Sequence, residues 1–487
     1  MSPVLVSSVV LGYFIVLMII ARVTGKGATS QTYFTGNRQS PWYLVAFGMI
    51  GATLSGVTFI SVPGEVGNTQ FGYFQVVLGY IVGYLVIGTV LLPLYYRMNL
   101  VSIYEYLSQR LGFSSYKTGA VYFLISRVIG ASFRLFLVSS VLQLAFFDAF
   151  NIPFEITVFI AIALIWLYTF QGGIKTIVWT DTLQTAFMLI SVGICIYQIG
   201  RELDFGDGGI VSTISASGYS DIFVWDWQSG QNFFKQFFSG AFITIVMTGL
   251  DQDMMQKNLT CRSIGDAQKN MFSFTVTLVL ANLFFLSLGV MLYLYANAQQ
   301  IPLPERSDEL FPMIALNYLS PVAGIFFLLG ITAAAYSSAD SALTSLTTSF
   351  CVDILQRKKN QEIPTPLRMR VQLGFSVLLY LVILSFNLIN DQSIITSLFT
   401  VAGYTYGPLL GLFTFGIFTR KALKDRYVPI VCILSPVICY IINDHSEAWF
   451  NGYQFGFEML ILNGALTFAG LQLLSRKPEA ALVVNED

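Results

Sequence analysis

The sequence predicts an all-α polytopic membrane protein. Of 487 residues, 55% are hydrophobic and only 11% are charged, a balance foreign to ordinary soluble domains, and the mean hydropathy is +0.68. Apolar runs of about 20 residues, the length that crosses a bilayer as a helix, recur along the whole chain and number about thirteen. Lys and Arg sort into alternate connections between them, the pattern that orients membrane helices. A net charge of -1 gives no basic field for a nucleic-acid partner.

The runs fall at 3-22, 42-67, 72-96, 116-148, 153-171, 178-200, 232-256, 270-297, 318-354, 369-389, 394-418, 427-443 and 453-474. The first is expected to be a retained helix, because basic residues follow it and none precedes it, the reverse of a signal peptide. One set of connections holds Arg22, Lys26 and Arg38; Arg97, Arg110 and Lys117; Lys175; Lys257, Arg262 and Lys269; Arg357, Lys358, Lys359, Arg368 and Arg370; Arg420, Lys421, Lys424 and Arg426; and Arg476 and Lys477. The other set holds little beyond Arg201 and Arg306, with Lys235 at a helix edge. This places the N-terminus outside and the C-terminus in the cytoplasm of a cell inner (plasma) membrane protein.

The longest polar stretch, 201-231, is acidic and rich in Gly and Ser. With run 3-22 set aside, it divides the next ten runs into two groups of five, 42-200 and 232-418, the layout of an inverted repeat. Two further helices, 427-474, follow. No linker separates a second domain.

The first run of each group looks breakable. One reads "AFGMIGATLSGVTFISVP", with Gly51 and Gly56; the other reads "FFSGAFITIVMTGLDQD", with Gly240 and Gly249. Helices interrupted at matching places in two halves point to a midplane site, because freed carbonyls bind a cation and half-helix N-termini an anion. Close packing through small residues accounts for the glycines as well.

The ninth run contains "AAAYSSADSALTS". On a helix Ser337, Asp340, Ser341, Thr344 and Thr348 form one stripe. Single hydroxyls are often satisfied by their own helix, but an ionised carboxylate at the bilayer centre costs about 3 kcal/mol on the mild insertion scale and needs a cation, a proton or an Arg partner. Oxygen ligands without Cys or His suit an alkali cation or a proton. Asp181 in "GGIKTIVWTDTLQ" is a second candidate, or else an interfacial acid paired with Lys175. Arg127 offers a planar fork to a carboxylate, either a solute's or that of an internal partner such as Glu458 or Asp340. Arg134 lies two turns further along the same face and suits snorkelling or stacking. Tyr73, Phe74 and Tyr80 follow the first breakable helix and are placed to face a solute. The five cysteines form no CxxC pair, which argues against disulfides and zinc. No nucleophile-and-base motif accompanies the single His445, which argues against an enzyme.

The segments "TLSGVTFISVP", "GGIKTIVWTD", "LDQDMMQKNLTCRS" and "AAAYSSADSALTS", in this order between Thr53 and Ser345, resemble the sodium:solute symporter family, which includes sodium/glucose and sodium/sialic acid transporters. The resemblance implies a LeuT-type 5+5 inverted-repeat core, alternating access and sodium-coupled uptake, with sodium ions, a small solute and the bilayer as partners and no obligatory protein partner. It implies a main sodium site from the carbonyls of Gly51, Leu54 and Ala334 and the hydroxyls of Ser337 and Ser338. It implies a possible second sodium site at Asp181, Asp340 and Ser341, where sialic acid members carry a serine in place of Asp340. Substrate positions similar to those of sialic acid members are Arg127, Ser55 and Thr58; Thr53, on the same segment, and Tyr73, placed to face a solute, complete the candidate substrate residues. Val77 stands where those members offer a glutamine, and Met247 where a sugar-transporting member has a gate tyrosine. The expected solute is a carboxylate-bearing sugar or small organic acid; the alternatives are a neutral sugar or polyol, a proton-coupled carrier, and a solute sensor that does not transport.

Overall fold

The computed structural model describes residues 3–26, 30–170, 173–203, 209–355, 363–387 and 394–476. The basic residues Arg357, Lys358, Lys359 and Lys477 named above lie outside this set. The chain is helical almost throughout, as its apolar runs require: a bilayer leaves no water to satisfy a backbone, so within a helix the backbone polar groups bond to one another.

The helices are α1 (Pro3–Thr24), α2 (Trp42–Leu54), α3 (Gly56–Thr69), α4 (Tyr73–Arg97), α5 (Phe113–Leu142), α6 (Phe154–Thr169), α7 (Ile174–Glu202), α8 (Phe233–Gly249), α9 (Gln252–Asn258), α10 (Ile264–Ala298), α11 (Pro321–Leu355), α12 (Thr365–Asn387), α13 (Ile394–Phe418), α14 (Val428–Asp444) and α15 (Met459–Leu473). Among the described residues eight helices are long and apolar enough to cross a membrane, or up to ten if each of the bent pairs α2–α3 and α8–α9 is one span. The expected runs 3-22, 153-171 and 453-474 fall on shorter apolar helices. One two-residue ribbon, β1 (Ala422–Leu423) against β2 (Ser475–Arg476), ties the end of α15 to the α13–α14 connection.

α11 is the buried axis of the fold. Every residue from Gly330 to Ser349 is buried, and α7, α5 and α2 pack around it. Its small residues, Ala, Ser and Thr on every side, let those neighbours approach closely. The polar connection 201-231 contains a short helix, Gly209–Ala216, and is fastened to the start of α4 by Gln75. The Gln75 amide donates to the Gln231 carbonyl at 3.0 Å and accepts from the Val224 N–H at 3.2 Å.

The glycines divide by role. A Cβ on Gly240 would run into the backbone carbonyl of Val76, so this glycine is where α8 meets α4. Gly193, on the exposed side of α7, has nothing within 4 Å of the place its Cβ would occupy. Gly240→Leu is therefore expected to destabilise the protein by about 1–3 kcal/mol or more through overpacking, whereas Gly193→Ala is expected to be neutral or slightly stabilising. Thermal unfolding of the purified protein in detergent measures both; equal melting temperatures for the two variants contradict the packing role of Gly240.

Candidate functional site

Both helices expected to break do so, and neither break falls on a glycine. α2 stops at Leu54, Ser55 takes the non-helical pair φ 28° and ψ 173°, and α3 leaves at 54° to α2. α8 and α9 meet at 69° around Leu250 and Asp251. A helix end leaves carbonyls without helical donors, so the end of α2 presents backbone oxygen inside the bundle. Gly51 serves close approach: its N–H donates to the Thr185 hydroxyl at 3.0 Å, and an added Cβ would meet that same oxygen.

Facing this end is the hydroxyl stripe of α11. The Ser338 hydroxyl lies 3.5 Å from the Ala52 carbonyl. The structure thus brings the last turn of α2, with Gly51 and Leu54, against the part of α11 that carries Ala334, Ser337 and Ser338, all buried. Ser337 donates to one oxygen of Asp181 at 2.6 Å, and the Lys257 ammonium sits 2.7 Å from the other. The Gln184 amide, oriented to satisfy both its ends, donates to Asp181 at 3.2 Å and accepts from Tyr13 of α1 at 3.0 Å. Thr185, which holds Gly51, donates to the Asp181 carbonyl at 2.8 Å. Asp181 is therefore a buried hub joining α2, α7, α9 and α11.

Asp340 is placed differently. Tyr168 of α6 donates to its Oδ2 at 2.8 Å, while Oδ1 has no partner among the described residues. The hydroxyls of Ser341 and Thr344 on the same stripe are likewise buried and unpartnered. Among the described residues Asp181 and Asp340 share no donor.

At the broken end of α2 lies a cavity of about 690 Å³, counting the space continuous with solvent. All five candidate substrate residues, Thr53, Ser55, Thr58, Tyr73 and Arg127, line it. Tyr73 and Tyr80 are joined through their hydroxyls at 2.9 Å and both line it, as does Met247. Arg127 is engaged by the protein itself: it pairs with Asp253 and lies 3.9 Å from Asp251. Asp251 in turn caps α9, accepting from the Asp253 N–H at 2.9 Å, and receives the Tyr406 hydroxyl at 2.6 Å. The partners of Arg127 are thus these two acids and neither Glu458 nor Asp340. Arg134, on the wall of the same cavity, makes no hydrogen bond or ion pair with a described residue, and its Nε is buried without a partner.

A family model described as the sodium:solute symporter family matches residues 33–425. The chain belongs to that family. It is 26% identical over 469 residues to the sodium/sialic acid symporter NanT of Aliivibrio fischeri, covering 90% of this chain and 88% of that protein. It is 24% identical over 438 residues to the sodium/sialic acid symporter SiaT of Proteus mirabilis, covering 85% of each. The solved structure of a Na+-coupled sialic acid symporter in a substrate-bound outward-open state superimposes with a TM-score of 0.82 at 19% identity, covering 97% of this chain and 99% of that one. The shared fold is the LeuT-type inverted repeat, and these family and structural relatives are transporters rather than enzymes.

Sequence reasoning missed the partners more than the principals. Lys257, counted there with basic connections, is 1% exposed and takes the place that Lys175 was expected to fill beside Asp181. Asp251 and Asp253 were visible as acids at the end of a breakable run, a signal that asks for a nearby cation. Removing one member of a buried ion pair strands the other, at a cost of about 3–5 kcal/mol. Lys257→Ala is expected to destabilise the protein by that amount, and Lys257→Ala with Asp181→Ala to recover part of the loss. A double-mutant cycle by thermal unfolding measures the coupling; additive losses contradict the pair.

Proposed function

We propose that this sodium-coupled symporter imports a small carboxylate-bearing solute, a sugar acid such as sialic acid or another small organic acid, by alternating access. The observation that carries the acid is Arg134, a guanidinium in the cavity wall with no ion pair or hydrogen bond to a described residue, the two acids whose field reaches it being already engaged by Arg127. A buried cation calls for an anion, and a guanidinium matches a carboxylate with two parallel N–H donors. Arg127 is spoken for by Asp253, so the expected carboxylate contact moves seven residues along α5, a rise of about 10 Å. A neutral sugar would leave Arg134 uncompensated. The names of the relatives NanT and SiaT favour the same class.

For sodium, the reading takes Gly51, Leu54, Ala334, Ser337 and Ser338 as the main site, supported by the approach of Ser338 to the broken end of α2. A second cation is assigned to Asp340 and Ser341, whose unpartnered oxygens lie on one stripe, with Asp181 as a neighbour already balanced by Lys257. Energetics favour two ions. One sodium ion entering with a monoanion moves no net charge and forgoes the roughly 2.3 kcal/mol that 100 mV gives each charge; a second restores it.

The repeats are taken to run from 42 to 200 and from 232 to 418, with 3-22 and 427-474 outside them, in a cell inner membrane with the N-terminus outside and the C-terminus cytoplasmic. On that orientation the Arg127–Asp253–Asp251–Tyr406 cluster closes the cytoplasmic side of the cavity, and solute release requires it to part.

Uptake into proteoliposomes tests the assignment. Arg134→Gln is expected to reduce sodium-driven uptake of the acid at least about tenfold, the loss of one charge-assisted hydrogen bond; uptake at the wild-type rate removes Arg134 from the site. Ser338→Ala is expected to raise the sodium concentration for half-maximal uptake, and Asp340→Asn to lower the Hill slope for sodium. Uptake driven by a pH gradient without sodium would favour a proton-coupled carrier, and binding without uptake a sensor.

A further inference from the structure

We infer that Asn282 is a specificity-determining residue of the cavity: its amide oxygen accepts a hydrogen bond from a hydroxyl or amide N–H of the solute, so the site selects acids that carry such donors. The inference rests on the acid-binding reading above and adds to it a second recognition point on another helix.

Asn282 stands inside α10, where an asparagine is a poor helix former that neighbouring Leu or Phe residues would improve upon. It is 1% exposed. Its Nδ2 donates to the Leu278 carbonyl one turn back at 2.8 Å. Only an N–H can face a carbonyl, so this bond fixes which end of the amide is oxygen. That oxygen has no partner among the described residues, and Asn282 lines the cavity. Buried polar atoms are nearly always bonded, and an unbonded one on a cavity wall is met by whatever occupies the cavity.

The cavity wall sorts the unpartnered groups further. Of its described residues, four carry a buried side-chain atom without a partner: Thr53, Arg127, Arg134 and Asn282. Arg127 is already held by Asp253. The three that remain come from α2, α5 and α10 and differ in chemistry. Arg134 only donates, Thr53 donates or accepts, and the Asn282 oxygen only accepts. A bare carboxylate satisfies Arg134 and Thr53 but has nothing to give Asn282. An acid with hydroxyl or acylamino groups satisfies all three. Leaving a site's acceptor unpaired is a strong form of discrimination, stronger than a missing methylene.

The test is binding of sialic acid, which has both kinds of donor, and of propionate, which has neither, to the purified full chain in sodium. Wild type, Asn282→Leu and Arg134→Gln are compared by calorimetry, and the sodium-induced rise in melting temperature is read on each. Asn282→Leu is expected to weaken sialic acid by about tenfold, one hydrogen bond's worth, and to narrow the preference for sialic acid over propionate by a similar factor, with the sodium response retained. Arg134→Gln is expected to lose both acids. If wild type binds sialic acid and Asn282→Leu binds it within twofold of wild type, the role of Asn282 is overturned while the acid site stands. A changed sodium response with unchanged sialic acid affinity overturns it too. Wild type that binds neither acid overturns the acid site and this inference together. Should Asn282→Leu fail to fold, Asn282→Ala removes the same acceptor and is read by the same outcomes.

Discussion

The ion pair between Lys257 and Asp181 holds the two halves of this transporter in register. It joins α9, the second piece of the second broken helix, to α7; through Ser337 the same carboxylate reaches α11, and through Thr185 the backbone carbonyl of Asp181 reaches the broken end of α2. In the bilayer interior neither charge is tolerable alone. The pair therefore does more than connect helices, since it lets a carboxylate sit beside the hydroxyls of α11 without itself demanding a metal. The geometry of that site, backbone oxygen from α2 facing hydroxyls from α11, follows from where these four helices are pinned.

The same rule sorts the arginines. Arg127 and Arg134 share a helix and a face, yet one is paired with Asp253 and Asp251 and the other forms no ion pair with a described residue. What separates them is the second break, which brings Asp253 and Asp251 within ion-pair distance of Arg127 and not of Arg134. A seven-residue step along one helix thus separates a cation paired within the protein from one on the cavity wall with no ion pair among the described residues.

Much of this was legible in the sequence, and the parts that were not have a common cause. Helix placement followed from apolar length, and both breaks were expected because small and polar residues recur at matching points of the two halves. The stripe on α11 followed from helical periodicity. The pairing of charges did not. Lys257 reads as one more basic residue near a cytoplasmic connection, and only the 69° turn between α8 and α9 carries it inward to Asp181. Asn282 was equally silent, since one polar residue in an apolar run gives its depth but not which cavity it borders. The glycines misdirected in part: Ser55 and the Leu250–Asp251 step make the turns, while Gly51 and Gly240 make room for neighbours.

The cap on α9 bears on how a solute is oriented. Two carboxylates, Asp251 and Asp253, stand there behind the single guanidinium of Arg127 on the cavity wall, so the positive charge of Arg127 is balanced from behind while Arg134 on the same wall has no ion pair with a described residue. Such a chamber acts on its guest as a fixed electric gradient. On the function proposed above, an acid lies with its carboxylate toward Arg134, and an inverted guest sets its carboxylate toward the balanced cluster, where no unpaired guanidinium receives it. On that reading the direction in which a solute lies is set in part by a helix cap that need not touch it.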